Sequence, residues 1–234
     1  MTLALRSHEP EWMDGEDVSQ QDFAACMTDL AQVNTVTLAR GPTLSFVGSA
    51  LAAVPADRVP TVLDVGFGAG DMLRAIRKRL NRAGRKARLI GIDLNPRSAP
   101  AAQALTDPGA AIEWRTGDAF AWPLDDAPDL IVSSLVTHHM ADEEIVGFLR
   151  WMEATARLGW FVNDLHRHAV PYHAFRALSA AARWHRFVRH DGPLSVARSF
   201  RRNEWEALLA RAGIHGATVR WHFPFRYCVA RRRA

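Results

Sequence analysis

Between residues 61 and 165 short apolar runs alternate with stretches of helical spacing. TVLDVG (61–66), ARLIGIDL (87–94), AAIEWRT (110–116), DLIVSSL (129–135) and LGWFVNDL (158–165) are too short for helices and rich in β-branched residues. Such runs predict strands, and the most apolar of them predict strands buried on both faces. Between them, 70–80 and 96–105 read as helical, and 141–156 places Ile145, Phe148, Leu149 and Met152 at helical spacing. Strands alternating with helices predict βαβ units and a parallel sheet.

The flanks follow other patterns. Residues 17–39 and 42–54 read as two helices, the second opening at Gly41-Pro42 with proline in its first turn, and Pro55 and Pro60 close the segment. After 165 the alternation stops. Residues 169–184 predict a helix rich in histidine and aromatics. Residues 203–212 predict another, with Trp205, Leu208 and Leu209 on one face and Gly213 as its cap. ATVRWHF and FRYCVARR, separated by Pro224, predict a terminal pair of strands. The expected architecture is a doubly wound α/β domain over 59–234 with a helical insert before the last strands. A helical extension or lid, 1–58, folds with it as one compact unit.

Composition narrows the class. The 234 residues are 48% hydrophobic and 23% charged, which excludes a disordered or coiled-coil chain. No apolar stretch approaches the roughly 20 residues of a membrane span. The start, MTLALRSHEPEWMDGED, turns acidic early and lacks a signal-peptide pattern, so a cytoplasmic chain is expected. Cys26 and Cys228 form no CxxC pair. The basic residues cluster: 74–88 holds Arg74, Lys78, Lys86 and five further arginines without an acid. With no aromatics among them for bases to stack on, this run predicts a solvated helix face rather than a nucleic-acid footprint.

The chemistry concentrates at strand ends. Leu63-Asp64-Val65-Gly66-Phe67-Gly68-Ala69-Gly70-Asp71 is a glycine-rich turn from the first strand into a helix, where a ligand can approach the backbone and free N–H groups. Asp71 stands where the dinucleotide fingerprint needs a small residue. Asp64 and Asp71 would also repel a pyrophosphate but not an ammonium or sulfonium. Asp93, at the second strand's end, is placed to accept both hydroxyls of a ribose, and Asp118 with Ala119 sits where an adenine edge would lie.

In these segments the chain resembles the S-adenosylmethionine-dependent methyltransferases of the seven-stranded, Rossmann-like class. LDVGFGAGD, GIDLNP, GDAF and DLIVSSLVTHHM match that family's first four motifs in order over residues 60–165. The resemblance implies a sheet of order 3-2-1-4-5-7-6 with the last strand antiparallel, and S-adenosylmethionine as cofactor. It also implies roles. Gly66, Phe67, Gly68 and Gly70 would wrap the methionine and ribose, and Asp93 would hold the ribose. Leu94 would pack on the adenine, Asp118 and Ala119 would read its edge, Ser133 would lie near the methionyl group, and Asp64 would help orient its amino end.

Acceptors in such folds bind beyond the carboxyl ends of the strands. That points to Thr137-His138-His139-Met140 and to Asn163-Asp164-Leu165-His166-Arg167-His168. His138, His166 and His139 are the candidates for removing a proton from a hydroxyl acceptor. A metal held by Asp164, His166 and His168 lacks a clear set of partners, so none is expected. Pro10-Glu11-Trp12-Met13-Asp14 reads as a flap over the pocket or a tail on the sheet edge. The expected activity is methylation of a small molecule, on oxygen first and carbon next, in bacterial secondary metabolism. The competing readings are an RNA or protein methyltransferase and a non-enzymatic cofactor-binding subunit. Nucleic acid and membrane are not expected partners, and monomer and homodimer stay open.

Overall fold

A computed structural model describes residues 3–233. The five predicted parallel strands are present: β1 (Thr61–Val65), β2 (Arg88–Asp93), β3 (Ile112–Thr116), β4 (Leu130–Ser134) and β5 (Gly159–Leu165). β6 (Thr218–His222) and β7 (Arg226–Arg232) complete one sheet of order β3-β2-β1-β4-β5-β7-β6. β7 runs antiparallel to both β5 and β6, as the resemblance implied.

The strands are apolar on both faces because helices cover both. Val62, Leu130, Val132 and Phe161 pack against α2 (Gly41–Ala52) and α3 (Asp71–Arg82), and the short α4 (Ser98–Ala104) follows β2. Leu63, Val65, Ile131 and Trp160 pack the other way, against α5 (Asp142–Thr155) and α8 (Arg202–Ala212). Each such large side chain removed from water contributes about 1.5–3 kcal/mol. Since α2 shares this core with β1, the N-terminal extension is not a separable layer.

α1 (Gln20–Val36), α6 (Ala169–Ala181) and α7 (Arg186–Arg198) gather at the sheet's carboxyl end, where Cys26, Val33, Trp184, Phe187 and Val188 form a smaller core. A buried amide ties this cap to the sheet: Asn163 Nδ2 donates to Ala39 O at 2.7 Å. The sequence reading has no α7. Gly192 and Pro193 interrupt its pattern, yet both lie inside the helix, and the bare Gly192 backbone accommodates the Phe175 ring of α6.

The basic run 74–88 is only partly a solvated face. Arg74 donates to Ala69 O, Arg77 to the carbonyls of Ala87 and Ala111, and Arg85 to those of Leu51 and Val54. Arg88 pairs with Glu113 and Asp126. These guanidiniums fasten loops to the sheet edge.

Gly159 begins β5 at φ +147, and a Cβ there would stand 2.2 Å from Arg231 O on β7. Backbone in a paired strand cannot move aside as a side-chain tip can. Gly159→Ala is therefore expected to cost about 1–3 kcal/mol. Denaturant unfolding measures this directly, and a change under about 0.5 kcal/mol would contradict the strand contact.

Candidate active site

At the carboxyl ends of β1, β2 and β4 a cavity of about 710 Å³ opens. Its floor is the glycine turn. Gly66 and Gly68 take φ +73 and +54, and only Met27 Sδ comes within 4 Å of where a Cβ on Gly68 would stand. The turn is pinned to the next strand: Asp93 Oδ2 accepts from Gly68 N–H at 2.8 Å and Oδ1 from Asn95 N–H at 2.9 Å. Burial pushes the Asp93 pKa up, partly offset by those two bonds. The Ser98 hydroxyl also donates to this carboxylate, which with four lone-pair sites can accept a further donor from the cavity. Beside it Leu94 is 73% exposed. An open backbone at Gly68, a carboxylate able to accept another donor and an exposed leucine fit a nucleoside with a ribose and a flat base.

Other expected residues are placed differently. Gly70 has φ +75 and gives way to the Trp114 ring, 2.3 Å from a would-be Cβ, so it serves packing and does not line the cavity. Ser133 is fully buried and donates to Val65 O at 3.0 Å. Strand alternation gives the cavity to its neighbour Ser134 instead. Asp118 is exposed and caps a short turn, accepting from Phe120 N–H at 2.9 Å, while Ala119 joins the core. Neither lines the cavity. Asp64 lies beneath the turn, where burial and then the charges of Asp71 and Asp93 hold its pKa well above the usual carboxylate range.

The far wall carries the histidines. His138, 3% exposed, sits in the short turn Thr137–His139 after β4 and faces the end of β5. Its Nδ1 meets Asp164 Oδ1 at 2.7 Å, and its backbone N–H donates to Oδ2 at 3.0 Å. Thr137 Oγ1 and Leu165 N–H also donate to this carboxylate. Burial opposes the charge on Asp164, but the His138 charge and these bonds win and hold its pKa at about 2. An ionised Asp164 makes His138 Nδ1 the donor and leaves Nε2 toward the cavity. His139 Nδ1 meets Asp14 at 2.8 Å. Burial disfavours the His139 cation, yet Asp14 and Glu11 raise its pKa to about 8.

The lid comes from the segment 9–14 and α7, and sequence reasoning missed how they join. Asp191 accepts from the backbone N–H groups of Trp12 and Met13 at 2.9 and 3.0 Å, and Glu11 accepts from Ser195 Oγ at 2.8 Å. Arg198 donates to the carbonyls of His138, His139 and Glu9. Glu11, Met13 and Asp14 therefore line the cavity, and the segment is a flap rather than an edge tail. The one signal available was its pairing of acids with an aromatic and a methionine.

His166 is outside this wall. It stacks with Phe225, lies tilted to His168 and meets Tyr227 edge-on, and Asp164 turns away from it toward His138, so the expected alternatives Asp164, His166 and His168 do not converge.

Residues 62–159 match the family model described as a methyltransferase domain. No protein of curated function matches the chain by sequence. Among solved structures, human N-acetylserotonin methyltransferase in complex with SAM is 18% identical with a TM-score of 0.59, covering 92% of this chain and 56% of its own. The CurJ carbon methyltransferase is 13% identical with a TM-score of 0.65, covering 92% and 61%. The plantazolicin methyltransferase BpumL, in complex with a triazolic desmethylPZN analog and SAH, is 16% identical with a TM-score of 0.59, covering 86% and 78%. This chain thus spans a little over half the length of the first two. Over residues 62–159 the chain is thus similar to a methyltransferase domain, and the sheet order together with these likenesses shows the seven-stranded, Rossmann-like fold.

His166 generates a pH prediction. Burial first, then the charges of His168, Arg201 and Arg167, lower its pKa from 6.5 to about 4. The unfolded chain takes up that proton near 6.5 while the native fold refuses it until about 4. Native stability should therefore fall as pH drops through that window and level off below it. His166→Phe should lose less stability than the parent between about pH 7.5 and pH 5, measured by urea midpoints. An equal loss in both proteins would count against a neutral, partly buried imidazole.

Proposed function

We propose that this protein is an S-adenosylmethionine-dependent methyltransferase acting on a small-molecule acceptor, on oxygen first and carbon next, in bacterial secondary metabolism. The observation that carries the reading is the single cavity joining the Gly66–Gly68 turn, Asp93 and Leu94 to His138 and His139 under the flap. Its volume lies within the range of small-ligand sites, roughly 300–1,000 Å³. Its walls are mostly apolar, with Phe23, Leu30, Val33, Phe175 and Leu178 among them. A roofed apolar chamber with a few polar groups at one end suits a compact acceptor better than an RNA strand or a protein surface. The named carbon and plantazolicin methyltransferases among the structural neighbours support a natural-product acceptor.

The cofactor supplies a methyl group on a sulfonium, which already carries its leaving group. The chain's own task is then placement. Asp93 would hold the ribose and Leu94 the base. The His138 Nε2 lone pair, fixed by Asp164, is what the site offers to the acceptor's proton-bearing atom. His139 adds a second imidazole to the same wall, and His166 is left to packing.

Two outcomes test the halves separately. Asp93→Asn should weaken S-adenosylhomocysteine binding by about 1.5–3 kcal/mol, the scale of hydrogen bonds to a charged group. Calorimetric titration of a folded variant with parental affinity would refute the ribose assignment. His138→Ala should lower kcat/KM about 10²–10⁴-fold with S-adenosylhomocysteine affinity unchanged, and His166→Phe should leave the rate within a few-fold of the parent. Steady-state assays on an identified acceptor decide this, and a fully active His138→Ala would move the chemistry elsewhere.

A further inference from the structure

Glu11 comes from the flap and His138 and His139 from the turn after β4, yet the three point their free atoms at one another. His138 Nε2 lies 3.7 Å from Glu11 Oε1, and His139 Nε2 lies 3.8 Å from Glu11 Oε2. These separations are long for hydrogen bonds. One ligand atom from each residue falls within 4.8 Å of the other two. Ligands bonded to a zinc ion at about 2.0–2.2 Å stand roughly 3–3.6 Å from one another. The two separations to Glu11 are thus a few tenths of an ångström wider than in a filled site, and the whole set lies within 4.8 Å.

Each imidazole is braced from behind, His138 Nδ1 by Asp164 and His139 Nδ1 by Asp14. A carboxylate on the far nitrogen turns the ring, selects the tautomer with Nε2 free and raises its basicity. That is the usual support of a metal-bound histidine. Charge points the same way. Three carboxylates, Glu11, Asp14 and Asp164, stand around the two imidazoles, with the Arg198 guanidinium 3.9 Å from Glu11. Glu11 is only 3% exposed, so its charge needs compensation close at hand.

We propose that Glu11, His138 and His139 bind a divalent transition-metal ion, zinc first, whose open positions face the cavity and take an oxygen of the acceptor. Two imidazoles and a carboxylate suit zinc, iron or manganese, whereas magnesium prefers oxygen ligands and retained water. The proposal rests on reading the cavity as the acceptor pocket, and it narrows the acceptor to a molecule with an oxygen donor. With its Nε2 lone pair engaged by the ion, His138 would serve the acceptor by holding the metal rather than by taking the proton itself. It also gives the flap a purpose, because Glu11 completes the site only when 9–14 lies closed.

The test uses the full-length chain without a histidine tag, stripped with a chelator. Zn²⁺ and, separately, Mg²⁺ are titrated by calorimetry, and Co²⁺ is added to the unmutated protein to read its ligand-field absorption. One Zn²⁺ per chain, bound about 100-fold more tightly than Mg²⁺, with Co²⁺ bands of a nitrogen–oxygen site, is expected. Glu11→Gln and His139→Ala should weaken Zn²⁺ by about 100-fold or more, and Asp93→Asn should keep it. The Co²⁺ spectrum of the parent protein does not depend on how the variants fold, and circular dichroism checks them. No stoichiometric Zn²⁺, or equal affinity in folded variants, overturns the site and leaves Glu11 and His139 as an ion pair only. Full methyl transfer by the chelated protein, lost in His138→Ala, also overturns it while sparing the acceptor pocket. Stoichiometric zinc without S-adenosylhomocysteine binding supports the metal site and refutes the cofactor reading instead.

Discussion

A carboxylate with no exposed surface, Asp164 at the end of β5, organises the acceptor side of this molecule. A buried charge costs several kcal/mol unless it is fully met. Here it is met by the Thr137 hydroxyl, the backbone N–H groups of His138 and Leu165, and the His138 ring. Those bonds draw the turn after β4 onto the end of β5 and set the tautomer of His138. Removing any one partner would leave the carboxylate partly unmet, so turn, ring and strand end behave as one rigid block. The site inherits its geometry from that block.

The cofactor side rests on the backbone instead. The Asp93 carboxylate ties β2 to the glycine turn through Gly68 N–H, so the turn offers its backbone while one side chain of β2 holds it in place. This division explains what the sequence could reveal. The glycine turn, Asp93, Leu94 and the strand ends are local: a few consecutive residues state both conformation and chemistry. The sheet order and the helices carrying its core followed from periodicity and from the family resemblance. Ser133 was one residue out, because a strand's alternation decides which of two adjacent serines faces the cavity, and the two look alike in the sequence.

The acceptor side was legible only in pieces. His138 and His139 stood out as a pair after β4, but the partners that define them lie far off in the chain. Glu11 and Asp14 come from the first dozen or so residues, and Asp164 from β5. α7 was hidden because Gly192-Pro193 reads as a break. Within a helix packed on both sides, tertiary contacts outweigh that local preference. His166 looked as suitable as His138 by residue type. Their partners separate the two, since His166 packs among Tyr227, Phe225 and His168 and only His138 meets Asp164, and no spacing rule encodes it.

How the flap is fastened bears on how the site is entered. Residues 9–14 are held mainly by polar contacts: Trp12 and Met13 N–H on Asp191, Ser195 Oγ on Glu11, and Arg198 on Glu9 O. The Trp12 ring lies outside, 51% exposed and stacked at 3.6 Å on His190. Hydrogen bonds to charged groups each contribute about 1.5–3 kcal/mol net, because water replaces them when they part. Met13 packs against the small core that Cys26, Val33 and Val188 form, but peeling this segment back would bare less of that core than displacing α1 or α7, whose own faces carry it. Opening at 9–14 would therefore disturb the core least. Such a motion would take Glu11 away from the histidines as an acceptor enters or a product leaves. Access and the completion of the polar wall are thus one conformational step, set by a segment that never joins the sheet.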